Sequence, residues 1–183
     1  MNSRIETLAL IHHACWHQLG QAASDKSHAW RVMGLATLDG QRADLRSMVL
    51  REVDAGAQQL TFFTDARSPK VAQIEAQPLA TLLAWSAALG WQLRLSVRLS
   101  VAVSGLAVSS RWARLQLSPA AQDYLSPLPP GAPVDPGQPE RASREHFAVL
   151  SAEVQGLDWL ELHADSHRRA QFDAAGLGQW VTP

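Results

Sequence analysis

Residues 91–103 read WQLRLSVRLSVAV, and apolar and polar side chains alternate along the whole stretch. Successive side chains of a β-strand point to opposite faces, so this alternation predicts a long strand with one buried face and one polar face. The apolar face carries Leu93, Leu95, Val97, Leu99, Val101 and Val103. The polar face carries Gln92, Arg94, Ser96, Arg98 and Ser100.

Further strand-like runs lie on both sides of this stretch. Residues 32–38, 45–53 and 59–64 are rich in β-branched or aromatic side chains, and the turn sequences DGQ (39–41) and DAG (54–56) separate them. Tight turns between such runs predict an antiparallel meander. The remaining predicted strands are residues 79–86, 147–162 and 178–183.

Residues 1–20 are predicted to hold an N-terminal helix, because apolar side chains recur at three- and four-residue spacing from residue 3 onward. Ser3 and Glu6 are spaced for a capping box, and Gly20 is a typical helix stop. Cys15 lies on the apolar face, where a buried structural thiol is expected.

Helices are also predicted within the chain. Ser68 is a good N-cap and Pro69 suits the first helical position, so a helix is expected from there to just before Pro78. Short helices are predicted at residues 109–116 and 119–124.

A proline-rich loop is predicted at residues 126–141, because six of the ten prolines lie between Pro127 and Pro139. We interpret it as an insertion within one domain, residues 1–183. Six or so antiparallel strands and a few peripheral helices predict a mainly β (α+β) fold, a small closed or split β-barrel. Closure removes exposed strand edges.

Composition narrows the function classes. The 183 residues are 46% hydrophobic and 18% charged, which excludes a disordered chain. The net charge of −1 gives no bulk attraction to nucleic acid or to an anionic membrane. A single cysteine excludes an internal disulfide. No apolar run is long enough to span a membrane and no signal peptide is recognisable, so a cytoplasmic protein is expected.

The run Arg46-Ser47-Met48-Val49-Leu50-Arg51 is a predicted strand with a cation at each end. Strand alternation places Arg46 and Arg51 on opposite faces unless a bulge intervenes. The alternative to a ligand-binding role is a strand with solvated ends.

A second stretch combines a strand end with a helix start. The strand ends in Phe63 and Thr64, and a loop with Arg67 leads to Ser68 and Lys70 at the helix N-terminus. Free N–H groups at a helix N-terminus attract anions, an arginine can bind a phosphate through two N–H groups, and a lysine adds a point charge. The stretch indicates a phosphate site, with an ordinary capped helix and basic surface residues as the alternative.

Two further features carry polar side chains suited to a ligand. Gln92 could donate and accept at the edge of a heterocycle, although a surface strand residue is the alternative. His163 and His167 would share a helix face, but two imidazoles without a third ligand make a poor metal site, and no metal is predicted. Arg168 and Arg169 favour hydrogen bonding to a ligand's phosphate, with a solvated basic turn as the alternative.

The order of these motifs resembles the pyridoxamine 5′-phosphate oxidase-like family of FMN-binding split barrels. The resemblance covers residues 30–105 and is looser in the C-terminal part, where Trp159 and Trp180 fall. The matching segments are LAT (35–37), RSMVLR (46–51), FT (63–64), RSPK (67–70) and Gln92.

The resemblance implies FMN as the cofactor, held at the interface of a homodimer. Residues 46–51 match the strand that lies along the flavin, with Arg46 reaching the phosphate. Phe63 and Thr64 match the aromatic–threonine pair beside the cofactor.

The remaining matches concern the phosphate and the ring. Lys70 matches the phosphate-binding lysine, Pro69 stands where the family has an arginine, and Arg67 is expected to substitute for that arginine. Gln92 matches the glutamine that hydrogen-bonds the isoalloxazine ring.

The chain departs from the family where the oxidase holds its substrate. A tyrosine, an arginine and a serine of that enzyme correspond here to Trp112, Gln116 and Ala120, so the side chains that bind the substrate phosphate are missing. The C-terminal arginine-x-histidine corresponds only loosely to His167-Arg168-Arg169. A divergent branch with a small-molecule substrate other than pyridoxamine phosphate is therefore expected.

The predicted function is an FMN-dependent oxidoreductase, in which flavin N5 exchanges a hydride with that substrate. Dioxygen or a nicotinamide then returns the flavin to its starting oxidation state. No side chain stands out as an acid or base. The alternatives are a non-catalytic flavin-binding protein on the same barrel and a barrel that has lost the cofactor.

Overall fold

A computed structural model describes residues 4–134 and 144–183. Eight antiparallel strands make up one sheet, namely β1 (Val32–Asp39), β2 (Arg42–Asp54), β3 (Gln59–Asp65), β4 (Leu79–Ser86), β5 (Trp91–Ala102), β6 (Phe147–Glu161), β7 (Arg168–Asp173) and β8 (Gly178–Val181). The α-helices are α1 (Leu8–Ser24), α2 (Pro69–Ala76) and α3 (Leu106–Leu115). Short 3-10 helices lie at Ala29–Arg31, Pro119–Tyr124 and Arg144–His146.

The strands run in the order β3-β2-β1-β4-β5-β6-β7-β8, and β3 also pairs with β6. That additional pairing closes six strands into a barrel, while β7 and β8 continue the sheet beyond it. The first half of β6 lies between β3 and β5, and its second half lies between β5 and β7. The register shifts at Gln155, where β6 changes neighbours. The expected split β-barrel is confirmed.

The apolar face of β5 packs in the barrel interior. Leu93, Leu95, Val97 and Leu99 are buried, as the alternation predicts. Each such side chain contributes about 1.5–3 kcal/mol when fully buried. Val103 was predicted on the same face but is exposed, because β5 ends at the preceding residue.

The N-terminal helix differs from its predicted bounds. It begins after Thr7, whose hydroxyl accepts a hydrogen bond from the Leu10 N–H, and it continues past Gly20 to Ser24. The predicted capping box needs Ser3, which lies outside the described residues. A single glycine inside a helix costs only about 1 kcal/mol relative to alanine, and burial of Ala22 in the following turn offsets it.

The C-terminal part holds a strand that the sequence analysis did not predict. Arg168 and Arg169 belong to β7, and His163 and His167 lie in the loop before it rather than on a helix. In the proline-rich loop, residues 126–134 form neither helix nor strand, and residues 135–141 lie outside the described ranges. Across the described residues, no helix is both long and apolar enough to cross a membrane.

Gly90 is a point at which the fold requires glycine. Its φ is +65°, and a Cβ there would lie 2.6 Å from the carbonyl oxygen of Leu162. We expect Gly90→Ala to lower the free energy of unfolding by about 2 kcal/mol, through backbone strain and displacement of that carbonyl. Urea unfolding measures the change.

The matched control is Gly20→Ala, since a Cβ at Gly20 meets no atom within 4 Å and lies inside α1. This control should gain up to about 1 kcal/mol. Equal stability of the two variants would contradict the conclusion that the fold requires glycine at position 90.

Candidate functional site

Strand β2 carries a bulge at Arg51, between Leu50 and Glu52. Arg51 lies against the Phe63 ring, with 5.6 Å from its Cζ to the ring centroid, and donates a hydrogen bond to the Tyr124 hydroxyl at 3.1 Å. Strand alternation left open whether a bulge interrupts residues 46–51, and the structure shows that bulge at Arg51. Arg51 nevertheless contacts a different set of residues from Arg46.

Arg46 lies in a polar network beneath α2. Its Nη1 donates to Thr37 Oγ1 at 2.5 Å and to the Leu35 carbonyl at 3.2 Å, and its Nη2 donates to Gln73 Oε1 at 3.0 Å and to Asp44. Gln73 Nε2 in turn donates to Asp44 at 3.0 Å. Thr37 and Gln73 are buried, so this network holds the guanidinium in one place.

Lys70 lies one residue after Pro69, at the N-terminus of α2. Ser68 is the N-cap residue of α2, as predicted, but its hydroxyl makes no capping hydrogen bond and instead accepts one from Lys70 Nζ at 2.5 Å. A second bond runs from Nζ to Thr64 Oγ1 at 3.1 Å. Burial lowers the pKa of Lys70, and the positive charge of Arg46 lowers it further.

These four residues, Arg46, Thr64, Ser68 and Lys70, form what we call the anion recess. In the described part of the chain, no carboxylate lies within 4.0 Å of Lys70 Nζ. Asp65 and Asp44 act on Lys70 through their charge, without an ion pair. Among the described residues, the one carboxylate in direct contact with the recess is Asp44, which pairs with Arg46. This combination of two cations and two hydroxyls suits a phosphate group.

Arg67 was predicted to join the phosphate site, but its guanidinium contacts other groups. It binds both carboxylate oxygens of Asp65, and it donates to the carbonyls of Ser126, Pro127 and Leu128 at 2.9–3.2 Å. Burial alone would raise the pKa of Asp65, but the hydrogen bonds from Arg67 hold it below its usual value.

The other residues of the predicted cofactor strand divide between the two faces of the sheet. Met48 and Leu50 are buried in the barrel core, so only their backbone could reach a ligand. Ser47 is exposed and Val49 is half-buried on the outer face. Phe63 packs on the outer side against Tyr124 and Phe147.

The remaining predicted residues lie on other strands. Gln92 is half-buried near the start of β5, paired in register with Trp85 of β4. Arg168 binds the Glu161 carboxylate and lies 5.6–5.7 Å from the ring centroids of Trp159 and Trp180. Arg169 forms two hydrogen bonds to the Asp158 carboxylate, at 2.7 and 2.9 Å. Both arginines thus have acidic partners and make no hydrogen bond to the anion recess.

Sequence reasoning missed Asp44 and Gln73 and gave no role to Thr37 of the LAT segment, although all three orient Arg46. The signal for Gln73 was an amide between the apolar Val71 and Ile74 of α2. A polar residue inside an apolar face of a helix indicates a buried hydrogen bond.

The barrel and its cationic recess define a split-barrel protein with a recess suited to an anionic group. Residues 13–103 match the family model described as pyridoxamine 5′-phosphate oxidase, FMN-binding domain. Over these residues the chain belongs to that family, and the resemblance inferred from the motifs is confirmed.

Solved structures support the same relationship. A pyridoxamine 5′-phosphate oxidase-related, FMN-binding protein of Nostoc punctiforme is 25% identical, with a TM-score of 0.78 over 97% of this chain and 100% of that one. PhzG of Burkholderia lata, solved with tetrahydrophenazine-1-carboxylic acid, is 16% identical, with a TM-score of 0.73 over 100% of this chain and 95% of that one.

A protein of Clostridium acetobutylicum related to general stress protein 26 is 10% identical, with a TM-score of 0.57 over 92% of this chain and 96% of that one. These two lower identities show the fold alone. No curated protein matches the chain.

The lowered pKa of Lys70 predicts a pH-dependent effect of its removal. The folded protein holds the Lys70 proton less firmly than the unfolded chain, so the charged ammonium destabilises the ligand-free fold at neutral pH. This cost disappears as the pH rises from the lowered pKa through the ordinary lysine value of about 10.4.

We therefore expect Lys70→Met to be more stable relative to the wild type at pH 7 than at pH 10. Urea unfolding of the ligand-free proteins across this range measures the difference. A difference that is constant or grows with pH would contradict the desolvation of Lys70.

Proposed function

We propose that this chain is an FMN-dependent oxidoreductase related to pyridoxamine 5′-phosphate oxidase, with a small-molecule substrate other than pyridoxamine phosphate. The observation that carries the proposal is the Lys70 ammonium, which is partly desolvated beside Arg46 and, among the described residues, is bonded to the hydroxyls of Thr64 and Ser68 and to no carboxylate. A cation withdrawn from water without a counter-ion indicates a site for an anion.

The residues present fit FMN. Its phosphate suits the anion recess, because oxygen atoms of a phosphate accept hydrogen bonds from guanidinium, ammonium and hydroxyl groups at once. A flavin ring also needs a flat apolar surface and polar groups at its edge. Trp85 and Gln92, paired across β4 and β5, would supply these.

Bound FMN would supply a ring that accepts or donates a hydride. The chain's own residues would bind and orient it. Arg46 and Lys70 would hold the phosphate, the buried network of Thr37 and Gln73 keeps Arg46 in place, and Gln92 would contact the ring edge. In this proposal these side chains bind and orient the cofactor.

The structure supports a substrate different from pyridoxamine phosphate. Trp112 lies in the region where the family's oxidase binds the phosphate of its substrate. It is buried and packs against Phe147, with 5.2 Å between the ring centroids. The nearby Arg111 and Arg114 both bind the Glu52 carboxylate. An aromatic cluster and two arginines that share one carboxylate thus occupy this region.

FMN binding is the direct test. We expect the purified protein to bind FMN with a flavin absorption spectrum, and Arg46→Gln and Lys70→Met each to weaken the affinity at least tenfold, since each removes a charge-assisted hydrogen bond. Riboflavin, which lacks the phosphate, should bind more weakly than FMN and should not distinguish Lys70→Met from the wild type. Fluorescence titration measures these affinities.

Leu106→Gln serves as a control, because Leu106 is exposed on α3 away from the recess. A wild-type protein that folds but binds riboflavin and FMN equally would contradict the proposal.

A non-catalytic flavin-binding protein is the second candidate, because the groups of the anion recess suit the binding of a phosphate whether or not the flavin is turned over. Anaerobic addition of NADH or NADPH separates the two. Bleaching of the bound flavin supports an oxidoreductase, and a spectrum unchanged by these and by candidate substrates supports the second candidate.

The outer sheet face supports the proposed homodimer. Leu45, Leu83 and Trp85 are 67%, 39% and 44% exposed. Leu45 and Leu83 meet over Gly34, since a Cβ built there would lie 3.5 Å from Leu45 Cδ1 and 3.9 Å from Leu83 Cβ. A contiguous apolar patch of this kind favours contact with another protein surface. We propose that a second copy covers it, with FMN at the interface.

The homodimer predicts a matched pair of variants. Leu83→Arg should shift the protein from dimer to monomer, because it places a charge in the centre of the apolar patch. Leu106→Arg, at a more exposed position outside the patch, should leave the dimer intact. Sedimentation velocity measures both, and two monomeric or two dimeric variants would contradict this interface.

A further inference from the structure

Asp65 and Lys70 lie at the two ends of the turn that leads into α2, and Arg67 lies between them. The Asp65 carboxylate accepts three hydrogen bonds from Arg67, from its backbone N–H at 2.8 Å, from Nε at 3.1 Å and from Nη2 at 2.7 Å. Arg67 thus occupies both oxygens of the carboxylate.

The same guanidinium is held from its other side. Arg67 Nη1 donates to the Pro127 carbonyl at 3.0 Å, and Nη2 donates to those of Ser126 and Leu128 at 2.9 and 3.2 Å. These bonds keep the guanidinium on Asp65 and turned away from the anion recess.

Asp65 is the acidic group whose charge opposes the lowering of the Lys70 pKa by burial and by Arg46, and Asp44 acts in the same direction. It nevertheless forms no ion pair with Lys70. The side chain of Asp65 is only 10% exposed, so its charge needs a partner. Arg67 and Lys70 are the two cations available, and the planar guanidinium of Arg67 fits a carboxylate better than the ammonium of Lys70 does.

We propose that Arg67 is a positioning residue that holds the Asp65 carboxylate away from Lys70 and so leaves the Lys70 ammonium free for the anionic group of a ligand. The inference rests on the proposed function, in which that group is the FMN phosphate. Without Arg67, the Asp65 carboxylate would neutralise Lys70 and repel the phosphate.

A purely structural role for Arg67 makes a different prediction. If Arg67 mattered only because it binds the carbonyls of residues 126–128, its loss would be harmful whether or not residue 65 carries a charge. If it matters because it occupies Asp65, removal of the Asp65 charge should compensate for the loss of Arg67.

A double-mutant cycle separates these roles. FMN affinity is measured at one fixed pH, so that His146, the other titratable group near Asp65, contributes equally in every variant. We expect Arg67→Gln to weaken FMN binding about tenfold and Arg67→Lys less. Asp65→Asn should bind within about threefold of the wild type, and Asp65→Asn with Arg67→Gln should return to that range.

A second measurement needs no FMN. In the ligand-free protein, NMR titration of labelled lysine should show a higher pKa for Lys70 in Arg67→Gln than in the wild type, and no such rise in the double variant. Arg114→Gln, which removes an exposed arginine of α3 paired with Glu52, is the control that should leave both readouts unchanged.

Recovery in the double variant, with the matching pKa changes, supports the inference. A double variant as weak as Arg67→Gln, or an Arg67→Gln that binds FMN as the wild type does, overturns it while the proposed function stands. A folded wild type that binds no FMN overturns both. Thermal unfolding of each variant shows whether it folds, and Arg67→Lys provides the comparison if Arg67→Gln does not.

Discussion

The pairing of β3 with β6 is the constraint on which the rest of the molecule depends. β6 is long enough to bind β3 along its first half, β7 along its second half and β5 along nearly its whole length. Its pairing with β3 satisfies the backbone groups of two strands that would otherwise be open edges. It also encloses the buried face of β5, so the hydrophobic core exists only in the closed barrel.

Closure also places the candidate site. Asp65, the last residue of β3, pairs with Phe147 at the start of β6, and Ala66 N–H donates to the His146 carbonyl at 2.7 Å. The turn into α2 is therefore fixed against two segments that precede β6, at His146 and at residues 126–128, whose carbonyls accept hydrogen bonds from Arg67. A barrel contact thus orients the groups around Lys70.

Ionised side chains have different partners in two parts of the molecule, the strands β6 and β7 and the anion recess. Burial alone would raise the pKa of Asp158, but hydrogen bonds from Arg169, Arg94 and Gln171 hold it at about 2. Glu161 is likewise bound by Arg4 and Arg168. These carboxylates are neutralised by side chains of the protein itself, whereas among the described residues Lys70 has hydroxyl partners and no carboxylate partner. The contrast is the physical basis for proposing a ligand at the recess rather than at β7.

Local patterns in the sequence determined the strands of the meander, the buried face of β5, the start of α2 at Pro69 and the motif order of the family. These features depend on side-chain alternation, turn residues and capping, which act between close neighbours in the chain. Only the tertiary structure decided that Gln73 and Thr37 hold Arg46, that Arg67 binds Asp65 and residues 126–128, and that β7 forms beside β6. Arg67 and Lys70 are both cations near one helix start, and no local pattern distinguishes them. Their environments differ because segments far apart in sequence meet only when the barrel closes, and burial then determines which charge finds a partner.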